Sequence, residues 1–250
     1  MTDLSPSGPV IALDEPVDVE RILVVTAHPD DVDFGVAASV ATWVKAGIDV
    51  RYCIVTNGDA GGSDRSVSRA EMARIRQGEQ RAAAAEVGVD DVVFLGYPDG
   101  RLTSSIELRR DVSRQIRRLR PDRVVAQSPE RFWDRLGASH PDHLASGEAT
   151  VCAVYPDARN PFAHPELLEE GLEPWSVPEL WLMSAPEVTH VVDVTDTFDR
   201  KMAALRCHRS QIADPAALET RVRGWLADGA RRAGLPEGRL VESYRAVQLF

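Results

Sequence analysis

The stretch Arg21-Ile-Leu-Val-Val-Thr-Ala-His-Pro-Asp-Asp-Val-Asp-Phe-Gly35 runs from an unbroken apolar segment into one histidine and three aspartates within six residues. Ile22 to Thr26 shows no polar alternation, the pattern of a strand buried on both faces of a parallel sheet. From Val32 to Lys45 the apolar positions Phe34, Ala37, Ala38, Ala41 and Val44 recur at helical spacing, and Gly47 is placed to end that helix. Val50 to Thr56 (VRYCIVT) reads as a second buried strand. Strand, helix and strand in this order predict parallel pairing through a right-handed crossover.

The alternation continues outward. A glycine-rich loop at Gly58 to Ser63 precedes a long alanine-rich helix from Ser68 to about Val87, closed by Gly88. A short strand at Val92 to Leu95, the turn Gly96 to Gly100, a basic amphipathic helix over 104–119 and a strand at Arg123 to Gln127 follow. An irregular stretch leads into a helix from about His140 to Val154, and the proline-rich residues 155–178 read as a long loop or short helices that could form a rim or lid. Strands at 180–184 and 190–194 and helices near 197–208 and 214–233 complete the pattern. The expectation is an α/β fold of Rossmann-like, three-layer type: a mostly parallel sheet with helices on both faces. One domain over 1–250 is expected, with 1–19 a loosely held lead-in.

Composition bounds the function. With 44% hydrophobic and 27% charged residues the chain of 250 is of ordinary globular type. A formal net charge of −10 disfavours nucleic acid as a partner, because binding to a phosphate backbone relies on clustered Lys and Arg. Cys53, Cys152 and Cys207 show no CxxC spacing and imply no disulfide framework. The N-terminal residues lack a basic start followed by an apolar core, and no apolar run reaches the length of a membrane span, so a cytoplasmic location is expected.

In an open parallel sheet, ligands bind beyond the carboxyl ends of the strands. His28, Asp30, Asp31 and Asp33 follow the first strand, Asp59 the second, Asp99 the third, and His140 with His143 the fourth. Carboxylates crowded as in 30–33 repel one another and need a cation or a proton to settle them. His28 and Asp31 stand three apart at a strand-to-helix turn, and His140 and His143 repeat the interval, so each pair can aim at one point. Two histidines and a carboxylate suit zinc or ferrous iron with positions left for water and substrate. Either pair alone is more often a cap or a surface pair; their joint placement after two parallel strands is what points to metal. Asp30, between two candidate ligands, reads as a general base or a helix N-cap, and Asp33 as support.

At these residues the chain resembles the PIG-L/LmbE-like deacetylase family, which acts on N-acetylated amino sugars and their conjugates. The matching stretches are AHPDDVDFG at 27–35, TNGDAGG at 56–62, RQGE at 76–79, FLGYPDGRL at 94–102 and HPDH at 140–143. The resemblance implies His28, Asp31 and His143 as metal ligands, Asp30 as general base and His140 as the histidine that stabilises the oxyanion. It implies more loosely that Arg76 and Asp99 contact the sugar. It further implies Zn2+ as cofactor, with Fe2+ or another divalent metal as alternatives, an amino-sugar partner, and oligomers, since homo-oligomers occur in the family. Two departures stand out: Ala37-Ala38 replaces a frequent Gly-Gly, and Ala138 occupies a position where sugar-thiol members place a tyrosine. Trp133 and Tyr97 could stack on a sugar or simply pack, and His208, in CHRSQ, could approach the site without being a ligand.

The reaction expected is metal-dependent removal of an N-acetyl or other N-acyl group from an amino sugar or its conjugate. The alternatives are an amidase acting on a larger sugar-thiol conjugate and an inactive sugar-binding relative. A dinucleotide-binding role is disfavoured, because Ala-His-Pro-Asp-Asp stands where a glycine-rich turn would have to approach a pyrophosphate.

Overall fold

The computed structural model describes residues 11–14 and 17–249. In chain order its elements are β1 (Ala12–Leu13), β2 (Arg21–Thr26), α1 (Asp31–Gly35), α2 (Ala37–Lys45), β3 (Asp49–Thr56), α3 (Arg69–Glu86), β4 (Val92–Tyr97), α4 (Ile106–Leu119) and β5 (Arg123–Gln127). There follow α5 (Pro141–Cys152), α6 (Glu166–Glu169), β6 (Glu179–Met183), β7 (His190–Asp193), α7 (Phe198–Cys207), α8 (Pro215–Arg232) and β8 (Val241–Gln248). The strands form one eight-stranded sheet in the order β1-β7-β8-β6-β5-β2-β3-β4. All neighbours are parallel except β8, which runs antiparallel between β6 and β7.

The unbroken apolar strands are explained by two cores. Ile22, Val24, Tyr52, Ile54 and Val125 face a layer built from α2, α3, α7 and α8 residues such as Trp43, Ala84, Leu205 and Val222. Leu23, Val25, Cys53, Val55 and Val124 face Leu108, Val112 and Ile116 of α4 and Ala149 of α5. Since successive side chains of a strand point to opposite faces, helices on both sides leave no solvated face and no polar alternation. The mostly parallel α/β architecture expected from the sequence is the one observed.

Local structure departs from the sequence reading at the first helix and at the last strand, and adds detail at the lead-in and at 155–178. The helix expected over 32–45 is broken at Val36 (φ −143°), so α1 and α2 are separate. There the Glu242 carboxylate accepts the N–H groups of Ala38 and Ser39 at 3.3 and 2.7 Å, satisfying donors that a new helix start leaves open. That glutamate lies on β8, a strand the sequence reading missed; its buried face carries Glu242 instead of an apolar residue, and Lys201 neutralises it at 2.6 Å. Of the lead-in, 1–10 and 15–16 lie outside the described residues. Ala12 and Leu13, however, pair with His190 and Val191, and Asp14 accepts from Trp43 Nε1 at 3.1 Å and from the buried Arg123. The proline-rich 155–178 is pinned: the buried Arg117 donates to the carbonyls of Asp157, Ala158, Asn160, Ala163 and Leu172.

The sheet order also locates a crevice. From β2 the chain builds β3 and β4 on one side and then returns to place β5 on the other. Connections diverge at the carboxyl end of β2, where doubly wound sheets bind ligands.

Candidate active site

Ala27 to Asp30 leave β2 at this switch point. The N–H of Ala27 donates to Gln127 Oε1 at the end of β5, and its carbonyl accepts from Thr56 at the end of β3, so the turn is tied to both neighbours. Asp30 has φ 86°, a left-handed conformation uncommon outside glycine and strained by about 1–3 kcal/mol when the surroundings impose it. α5 brings the second motif alongside. A Cβ on Gly147 would meet the Gln127 carbonyl oxygen at 2.4 Å, so only glycine lets α5 lie this close to the end of β5.

His28, His140 and His143 then converge. Their ring centroids are 5.0 to 5.4 Å apart, and one nitrogen from each lies within 4.8 Å of the others. Asp31 sits between two of them, its Oδ2 3.2 Å from His28 Nδ1 and its Oδ1 3.1 Å from His143 Nε2. The outer nitrogens decide where the protons are. His28 Nε2 faces the carboxylates of Asp99 and Asp142 at 3.1 and 3.2 Å, which can only accept. His143 Nδ1 faces the Ala138 carbonyl at 3.2 Å, which also can only accept. In the neutral rings both protons therefore lie on the outside, and the inner nitrogens aim lone pairs at the two Asp31 oxygens. Four electron-pair donors facing one another are stable only around a cation, or if both rings take a second proton. The N and O donor set suits zinc or ferrous iron.

The electrostatics agree. Burial opposes a charged His28 ring, yet hydrogen bonding to the carboxylates of Asp142, Asp31 and Asp99 pushes it up to about 12. Burial would raise Asp31, but His143 and His28 hold it below the usual carboxylate range. Asp30 moves the other way: burial and the Asp31 charge raise it, against the pull of the Arg76 guanidinium. His140 is lowered by burial and by its two histidine neighbours.

Arg76 and Asp99 are buried, at 4% and 8% exposure, and are engaged with the protein itself. Arg76 donates from one terminal nitrogen to the Pro29 carbonyl at 2.6 Å and Asp30 Oδ2 at 3.2 Å, and from the other to the Gly58 carbonyl at 3.0 Å and Asp99 Oδ2 at 3.5 Å. The glycine-rich loop follows from this: a Cβ on Gly61 would lie 2.5 Å from the Arg76 guanidinium. Asp59 accepts the Asp99 N–H at 2.9 Å and pairs with Arg69, so it shapes the neighbouring loop.

The fold thus gathers His28, Asp30, Asp31, Arg76, Asp99, His140 and His143 at the carboxyl end of β2. Trp133 is 76% exposed, and the Tyr97 hydroxyl donates to Asp111 at 2.9 Å. Asp142 was missed as a site residue although it lies within HPDH; its carboxylate accepts the N–H groups of Gly100 and Leu102 as well as facing His28. An aspartate between two candidate ligand histidines was the only signal, and helix first turns favour aspartate anyway. Behind the site, His208 Nε2 lies 2.7 Å from Asp33 Oδ2, both fully buried.

Comparison with known proteins identifies the family. Residues 23–154 match the PIG-L family, GlcNAc-PI de-N-acetylase. The chain is 30% identical over 197 residues to diacetylchitobiose deacetylase of Thermococcus kodakarensis, covering 79% of this chain and 72% of that protein. It is 28% identical to a probable N-acetyl-alpha-D-glucosaminyl L-malate deacetylase of Bacillus cereus, covering 76% and 83% of the two chains. Among solved structures, N,N'-diacetylchitobiose deacetylase from Pyrococcus horikoshii superposes with a TM-score of 0.85 at 30% identity, covering 92% of this chain and 85% of that one. With the family match spanning more than half of its length and its two histidine motifs meeting at one strand end, the chain belongs to the PIG-L de-N-acetylase family.

Proposed function

We propose that the chain is a metal-dependent hydrolase that removes an N-acetyl group from an amino sugar or amino-sugar conjugate, with zinc as the resident metal. The observation that carries the reading is that Asp31 bridges His28 Nδ1 and His143 Nε2 at 3.2 and 3.1 Å, beside the cluster of three imidazoles, at the switch point of the sheet. The relatives named above act on acetylated glucosamine derivatives, which sets the substrate class.

His28, Asp31 and His143 would hold the metal. When bound, a divalent metal supplies Lewis acidity, lowering the pKa of water and polarising an amide carbonyl. Asp30 is the general base: its carboxylate accepts a proton from the attacking water and returns it to the leaving nitrogen, so that amide and water become acetate and a free amine. Arg76 holds that carboxylate at 3.2 Å. His140 Nδ1 accepts the Asp142 N–H at 3.2 Å, so the neutral ring carries its proton on Nε2 and can donate to the developing oxyanion. Asp142 and Asp99 keep the His28 proton on Nε2, leaving Nδ1 as the ligand.

Among the described residues no helix is long and apolar enough to cross a membrane. The test is a screen of the zinc-loaded protein against N-acetylated sugars and glycoconjugates, reading free amine. Release of amine from at least one, abolished by a chelator and restored by metal, is expected. Loss of a larger acyl group instead would favour the sugar-thiol amidase, and binding without turnover a sugar-binding relative.

A further inference from the structure

We infer that Gln80 is a positioning residue that sets the aim of Asp30 through its backbone, and that Asp33 and His208 lock Gln80 in the required orientation; this rests on the reading of Asp30 as the base. Gln80 lies one turn after Arg76 on α3 and is fully buried. Its Oε1 accepts the Asp30 N–H at 2.7 Å, and its Nε2 donates to Asp33 Oδ2 at 2.9 Å. The same Asp33 oxygen faces His208 Nε2 at 2.7 Å.

The amide cannot be turned over. Asp30 N–H can only donate and the Asp33 carboxylate only accepts, so a flipped Gln80 would set donor against donor and acceptor against acceptor. A glutamate would lose the donor and a leucine both bonds. The need for such a clamp is local: Asp30 is held at φ 86°, which a non-glycine residue keeps only when its surroundings impose it. Arg76 grips the preceding Pro29 carbonyl, so i and i+4 side chains of one helix hold the C=O and the N–H of the single Pro29–Asp30 peptide. The network is not explained by stability alone. Among the described residues, Asp33 Oδ1 and His208 Nδ1 are buried with no hydrogen-bond partner, a cost that an apolar cluster would not carry.

The test combines kinetics with amide exchange on the full, metal-loaded chain. Gln80→Leu should keep its metal by elemental analysis and its KM, while kcat falls by about 10- to 100-fold, as for other residues that orient a reacting group. Placed in an Asp30→Asn background, Gln80→Leu should cause no further loss, because it acts only through Asp30. A loss that adds in full to that of Asp30→Asn overturns the positioning role. The Asp30 amide should also be protected from hydrogen exchange in the wild type and lose that protection in Gln80→Leu; an unprotected wild-type amide overturns the inference whether or not the variant folds. If the wild type is inactive on every acetylated sugar, the proposed function fails, and the Asp30 amide still decides whether Gln80 holds this turn.

Discussion

The carboxylate of Asp142 lies 3.2 Å from Nε2 of His28 and is almost completely buried, joining the first turn of α5 to the loop that leaves β2. The same carboxylate accepts the Gly100 N–H at 2.7 Å and the Leu102 N–H at 3.2 Å, which brings the loop after β4 to the same point. One side chain thus fixes a histidine tautomer and the relative placement of three strand ends.

Asp142→Asn removes the charge that holds the His28 proton on its outer nitrogen. Zinc affinity, measured by competition with a chelator, is expected to fall by about 10- to 100-fold in a folded protein. An unchanged affinity would show that Asp142 does not control the His28 lone pair.

Asp30 and His143 should separate cleanly. Asp30→Asn retains bound metal by elemental analysis and loses most of its activity, since Asn cannot accept the proton of water. His143→Ala loses metal, since it removes one of the inner nitrogens around Asp31. Full activity of the first variant, or wild-type metal content in the second, would remove the corresponding role.

His140→Ala tests the oxyanion donor. Metal content should stay near that of the wild type while kcat falls by about 100- to 1,000-fold, the usual loss for one such donor. Because His140 also belongs to the cluster of three imidazoles, a loss of metal instead would make it a ligand.

Arg117→Met addresses the segment 155–178. The arginine is 1% exposed and its guanidinium is shared among five carbonyl oxygens, so an apolar side chain of similar length leaves buried acceptors unpaired. A destabilisation of about 2–4 kcal/mol is expected from urea unfolding, with earlier proteolysis inside 155–178. Equal unfolding midpoints would mean that the segment is held by its apolar contacts instead.

What the sequence determined by itself was the strand-helix alternation and the chemistry available at the strand ends. Ile22 to Thr26 and Val50 to Thr56 are apolar on both faces because helices cover both, and that burial is written directly into local periodicity. The histidine and aspartate pairs at 28–31 and 140–143 are legible for the same reason, as short spacings next to such strands. Tertiary structure alone decided the rest. The sheet order sets β5 beside β2, and only then does His143 face Asp31 and Asp142 face His28. The tautomer of each histidine depends on its outer partner, the left-handed turn at Asp30 on Gln80 and Arg76, and the break before α2 on Glu242 from the far end of the chain. Apart from the carbonyl of Ala138, which lies near His143 in sequence, and the N–H of Asp142 beside His140, these partners are remote in sequence and brought together by strand pairing, so no local window of residue types could disclose them.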